Sequence, residues 1–120
     1  MKIAIIGGSG LYDIDNPSEA EEQNIVTPWG ETSSSILKTV SGENEIFFLS
    51  RHGRGHLLSP SEINYRANIY ALKFLGVDWI ISVSAVGSLK EEIPPGMIVI
   101  PDQFIDFTKQ RKSTFFDEGI

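Results

Sequence analysis

Residues 2–10 read KIAIIGGSG, an apolar run from Ile3 to Ile6 that breaks into Gly7, Gly8, Ser9 and Gly10. A short run of this kind predicts a buried strand, and the glycines behind it predict a turn whose backbone amides stand uncovered. Successive exposed amides beside a hydroxyl suit an anion. The open choice is between the pyrophosphate of a dinucleotide, the phosphates of a nucleoside triphosphate and one free phosphate. The plainer reading of the same residues is a tight turn that needs glycine for its dihedral angles.

Two of the anion readings fail on spacing. A dinucleotide fingerprint requires G-x-G-x-x-G opening a helix, with an acid closing the second strand. Gly8 and Gly10 supply two positions, but Asp13 occupies the third, and DIDNPSEAEE, with Pro17, carries no apolar helical stripe. A P-loop needs a lysine after the glycines, and none is present.

Working outward, residues 14–23 are polar and acidic and predict an exposed connection. The runs SSILKTV and EIFFLS flank SGEN, which predicts a hairpin. RHGRGHLLSPS is too rich in glycine and polar residues for a regular element. SEINYRANIYALKFLG predicts a helix capped by Ser61, with Glu62 at its start and Gly76 as its stop. Ile63, Ala67, Ala71 and Phe74 share one face at helical spacing. DWIISVSA predicts a strand buried on both faces, PPG a turn, and MIVIP a further strand that QFIDF extends. No repeat is visible. Together these elements predict an α/β fold with a mixed, mostly parallel sheet and flanking helices.

In such sheets ligands sit beyond the carboxyl ends of strands. Three polar segments occupy predicted strand ends: Gly7–Gly10, Ser50–His56 and Ser84–Ser88. Both histidines and two of the four arginines fall within RHGRGH. Arg51 suits paired hydrogen bonds to a phosphate, and His52 suits a phosphate oxygen or a sugar hydroxyl. Metal binding by His52 and His56 is disfavoured, because the segment lacks a carboxylate and its arginines repel a cation. For Arg54 and His56 the plain alternative is loop packing or a surface ion pair. Ser84 offers a hydroxyl, and Ala85 to Gly87 expose amides without bulky side chains, a pattern that close packing alone also explains.

Composition narrows the class. The 120 residues, 41% hydrophobic, suffice for one domain. A net charge of −6 argues against nucleic-acid binding, and the run Lys109, Arg111, Lys112 is short enough for a solvated loop. The chain has no cysteine, which excludes a disulfide framework and a cysteine metal or nucleophile site. No segment has the length of a membrane span or a signal peptide core, so the expectation is a cytoplasmic protein.

The blocks IIGGSGL, RHGRGH, INYRANIYALKFLGV, SVSAVGSLKEEIPPGMIVIPDQFIDFT and STFFD occur in one order across residues 3–117. In them the chain resembles the N-terminal half of the methylthioadenosine phosphorylases, within the trimeric purine nucleoside phosphorylase family. The resemblance selects the single-phosphate reading of the glycine loop. It implies a nucleoside phosphorylase-like sheet, truncated, with residues 1–120 forming the N-terminal part of one domain. It implies phosphorolysis of 5′-methylthioadenosine or a related purine nucleoside to free purine and the pentose 1-phosphate, with no cofactor and no metal. By matching motif, Ser9, Arg51, His52, Ser84 and Ala85 are expected to bind phosphate, and Ala85, Val86 and Gly87 to line the nucleoside pocket. The family's base-binding acids lie downstream of these residues, so Asp102 and Asp106 are not assigned that role. A homotrimer or hexamer is expected, with a separate C-terminal half as a candidate partner. Phe115 and Phe116 are candidates for a pocket shared between subunits. The alternative is a non-catalytic half-chain that supplies the phosphate cradle and subunit contacts to a partner.

Overall fold

A computed structural model of the chain describes residues 1–8 and 20–117. The opening run forms β1 (Lys2–Gly7), and three further strands follow: β2 (Glu21–Gln23), β3 (Ile36–Ser41) and β4 (Asn44–Ser50). The helix α1 (Tyr65–Phe74) and strand β5 (Trp79–Val83) complete the regular elements of the described residues. The strands form one sheet in the order β2-β3-β4-β1-β5. Pairing is antiparallel from β2 through β4 and parallel from β4 through β1 to β5. The sheet is therefore evenly mixed rather than mostly parallel. The added antiparallel edge, β2, comes from residues expected to be only a connection.

The predicted hairpin is present as β3 and β4. Ser41 faces Asn44 across a two-residue turn, and Gly42 at φ 61° adopts the left-handed backbone that such turns require. Parallel pairing sets Ala4 beside Phe47 and Ile6 beside Leu49, so these four side chains share one face. With Ile36, Ala71 and Leu72 they form the buried core, and α1 covers them. Ala67 and Ala71 are fully buried on the helix face, which lets the helix approach the sheet closely.

The helix begins later than its sequence predicts. Asn64, not Ser61, is the N-cap, and its side-chain oxygen accepts from the Ala67 amide. Glu62 is engaged one turn earlier, where its carboxylate accepts from the Ser59 amide at 2.8 Å. A turn over Ser59–Glu62 therefore precedes the helix. Phe74, expected on the buried face, is 68% exposed because the buried stripe ends at Leu72.

Strand β5 departs most from expectation. Every residue of it is exposed, although its apolar run predicts burial on both faces. Backbone pairing to β1 holds it, but no described layer covers it. MIVIP and QFIDF form no strand, since no described segment pairs with them; the turn before them is closed by Met97 N–H to the Pro94 carbonyl. The chain returns to the packed body at its far end. Phe115 meets Trp29 edge-on at 5.1 Å, Tyr70 meets the same ring at 5.2 Å, and Arg66 pairs with Asp117. No helix among the described residues is long and apolar enough to cross a membrane.

Candidate functional site

The register of the central strands decides where the site lies. Gly7 is the partner of both Ser50 and Val83, so β1, β4 and β5 end at one level. Pairing runs one step further: the Gly8 amide donates to Val83 O at 3.2 Å and the Arg51 amide to Gly7 O at 3.0 Å. Gly8, Arg51 and Ser84 thus leave the sheet side by side at its carboxyl edge. Three separated sequence segments thus meet at their described residues Gly8, Arg51 and Ser84.

Arg51 joins the three ends. Its Nη1 donates to Ser84 Oγ at 2.7 Å, which links the end of β4 to the end of β5 across β1. Its Nε donates to His52 Nε2 at 3.4 Å. Its Nη2 lies 2.8 Å from where a Cβ on Gly8 would stand. That approach requires glycine at position 8, because any side chain would displace the guanidinium.

His52 is buried, 8% exposed, inside the turn that RHGRGH was expected to form. Its Nδ1 lies 2.8 Å from the Leu58 carbonyl oxygen, and its own carbonyl accepts from the Leu58 amide. His56 stacks on it at 4.4 Å between ring centroids. The turn uses Gly53 at φ 76°, where an added Cβ would meet the Ser33 carbonyl oxygen at 3.1 Å. Arg54 forms the plain surface ion pair, with Glu22 at 3.1 Å.

A cleft of about 370 Å³ opens beside Arg51 and Ser84. His52, Tyr65 and Asn68 line it, with Ile6 and Ile80 on its apolar wall. Sequence reading missed the helix side of this cleft. Asn68 is the telling residue: it is 2% exposed among alanines and leucine on the buried face. Its Oδ1 accepts from the Ser33 amide and its Nδ2 donates to Ser33 Oγ, both at 2.9 Å. A polar residue inside a buried helical stripe needs such partners, and that mismatch is the available signal.

The remaining predicted residues divide clearly. Ser9 lies outside the described residues. Ala85, Val86 and Gly87 follow Ser84 on the exposed chain, with Val86 86% exposed. Asp102 is exposed, and Asp106 accepts from the Thr108 amide at 2.8 Å within its own loop. That bond holds the Asp106 carboxyl below its usual range. Phe115 packs on Trp29 of its own chain while Phe116 is exposed. Among the described residues no cluster of three or more His, Asp or Glu side chains is arranged for a metal. In this setting a charged fork and a hydroxyl at parallel strand ends, beside the exposed backbone of residues 85–87, can hold an oxyanion and orient it.

Comparison with known proteins gives a consistent result. Residues 2–120 match the family model of the phosphorylase superfamily. The S-methyl-5′-thioadenosine phosphorylase of Hyperthermus butylicus is 62% identical over 118 residues, 98% of this chain and 43% of that protein. Its counterpart in Saccharolobus solfataricus is 57% identical, over 96% of this chain and 43% of that protein. The crystal structure of a methylthioadenosine phosphorylase from an antarctic soil metagenomic library superposes with a TM-score of 0.89. It is 57% identical and covers 98% of this chain and 41% of its own. The Schistosoma mansoni enzyme in complex with tubercidin gives a TM-score of 0.90 at 42% identity, over 98% of this chain and 41% of its own. The chain spans about two fifths of the length of these relatives.

Proposed function

The chain belongs to the phosphorylase superfamily, and from that membership we propose that it is the phosphate-holding part of an enzyme that cleaves 5′-methylthioadenosine or a related purine nucleoside. The observation that carries the proposal is the Arg51–Ser84 bond at the level of Gly8, which gathers three strand ends around one position for an anion. Relatives named methylthioadenosine phosphorylase, one of them with tubercidin bound, support the substrate class.

In this reading Arg51, Ser84, the Ala85 amide and Ser9 contact inorganic phosphate, with His52 in the same cradle. Ala85, Val86 and Gly87 border the nucleoside. A phosphate oxygen attacks C1′ of the ribose as the bond to the purine nitrogen breaks. The electron pair leaves with the purine, and the sugar gains cationic character that the neighbouring phosphate stabilises. The protein's task is to orient and desolvate that dianion without neutralising it. Phosphate is the second substrate, and the proposal includes no further cofactor and no metal. A proton or hydrogen bond for the departing purine comes from outside these residues, as Asp102 is exposed and Asp106 serves its own loop. The proposal also includes a cytoplasmic homo-oligomer, a trimer or hexamer, with the purine side supplied by further polypeptide.

The test is release of adenine from methylthioadenosine with and without phosphate, together with phosphate binding, for the wild type and Arg51→Ala. Phosphate-dependent release that Arg51→Ala abolishes supports a working enzyme. Phosphate binding without release, restored by polypeptide matching the rest of the relatives, supports the half-chain reading. Adenine-free reactions under both conditions, with no phosphate binding, would sink the proposal.

A further inference from the structure

We propose that His52 is a positioning residue: a neutral imidazole, protonated on Nδ1, whose Nε2 lone pair holds the Arg51 guanidinium in place for the anion. The inference rests on the phosphate-site reading above and assigns the His52 ring a role through Arg51 instead of a hydrogen bond from the ring to phosphate.

Two contacts fix the proton independently. The Leu58 carbonyl oxygen can only accept, so Nδ1, 2.8 Å away, carries the hydrogen. Arg51 Nε can only donate, so Nε2, 3.4 Å away, presents its lone pair. Both contacts demand the same tautomer. A proton on Nε2 would point at a permanent cation, and the Arg51–His52 bond would be lost. With Nε2 unprotonated, the ring has no remaining N–H to give a phosphate oxygen.

The ring is also held against reorientation. The Leu58 amide donates to the His52 carbonyl at 2.9 Å, so residues 52 and 58 are tied twice. The Gly53 amide donates to Ser50 O at 3.0 Å, and the His56 ring lies nearly parallel to that of His52, 18° between planes. Arg51 is thereby gripped on its Nε edge by His52 and at Nη1 by Ser84. Of the five guanidinium N–H groups, two are engaged among the described residues, leaving about three for an oxyanion. A planar donor fork loses less freedom on binding when its edge is already fixed.

The test uses the 120-residue chain labelled with ¹⁵N and inorganic phosphate as ligand. The chain has two histidines, so long-range ¹H–¹⁵N spectra resolve two rings, and His56→Asn assigns them. We expect His52 to show Nδ1–H and an unprotonated Nε2 both free and saturated with phosphate. His52→Leu should weaken phosphate binding roughly tenfold or more, and His52→Gln, which keeps an acceptor for Arg51, should recover most of it. The Arg51 Nε–H signal should shift in His52→Leu and return toward its wild-type position in His52→Gln. An Nε2–H signal appearing on phosphate binding, or unchanged affinity in His52→Leu, would overturn the proposal. An Nδ1–H ring in a wild-type chain that binds no phosphate would overturn the phosphate-site reading instead, and the two failures are distinguishable.

Discussion

The half of the sheet made by β3, β4 and β1 buries its apolar side chains, whereas β5 and residues 84–117 carry similar side chains into solvent. Phe47 and Leu49 are 2% and 1% exposed; Ile98 and Ile100 are 92% and 90% exposed. Composition does not separate the two regions, since MIVIP is as apolar as KIAII. The difference is a covering layer. The helix α1 closes over the core strands, and no described element closes over β5 or residues 97–107. An apolar run specifies a preference for burial, and only a second surface satisfies it. The site straddles this divide: Arg51 stands at the end of a packed strand and Ser84 at the end of an exposed one, with one hydrogen bond between them.

The sharpest way to break this contrast is truncation on each side of it. Phe47→Ala should cost about 3–5 kcal/mol, because the lost contacts leave a cavity that the close-packed alanines of α1 cannot fill. Ile98→Ala should fall within about 0.5 kcal/mol of the wild type, since it removes no buried contact. Urea unfolding of the two variants checks this, and equal losses would mean that residues 97–107 are packed in solution.

A smaller effect is expected where the two regions meet. In Gly8→Ala the new methyl would stand 2.8 Å from Arg51 Nη2, and the flexible end of the arginine is what gives way. Stability should hold while phosphate affinity falls about tenfold, the consequence of losing one charge-assisted contact. Calorimetric titration with phosphate, run beside urea unfolding, separates the two. A parallel loss of stability and affinity would mean that Gly8 serves the strand end rather than the guanidinium.

The strand ends that frame the candidate site were legible in the residues because they depend on short-range order. Glycines directly behind a strand, and an arginine directly behind another, fall at strand ends whatever the rest of the chain does. The hairpin was legible for the same reason, since Gly42 sets a two-residue turn locally. The Asn64 cap was not: Ser61, Asn64 and the Ser59–Glu62 turn offer competing local starts, and contact with Trp29 helps select one. Asn64 Nδ2 donates to the Trp29 carbonyl, 35 residues away in sequence. Strand β2 and the Asn68–Ser33 contacts are likewise long-range pairings. The exposure of β5 was hidden because its sequence records the environment the strand suits, and no described element supplies that environment.

The smallest expected effect compares one carboxylate from each region. Glu45, at the amino end of the sheet, meets Lys38 Nζ at 2.7 Å and Lys2 Nζ at 3.3 Å. The hydrogen bond from Lys38, helped by Lys2, holds its carboxyl below the usual glutamate range. A carboxyl whose value is lower folded than unfolded stabilises the fold above the unfolded value, about 4.3. That contribution is lost as pH falls through the folded value. Lys38 is raised by the same bond to Glu45, so its share is complete below its unfolded value, about 10.4, and disappears as pH rises through the folded one. The stability difference between wild type and Glu45→Gln should therefore be flat near neutrality and close at both extremes. Asp106 is also lowered, but by Thr108 two residues away in an exposed loop. A contact that local persists in the unfolded chain, so it shifts both states alike and Asp106→Asn should show no such closing gap. Urea midpoints followed across pH decide it: a gap for Asp106→Asn as large as that for Glu45→Gln would mean that the exposed loop is ordered by folding as firmly as the sheet.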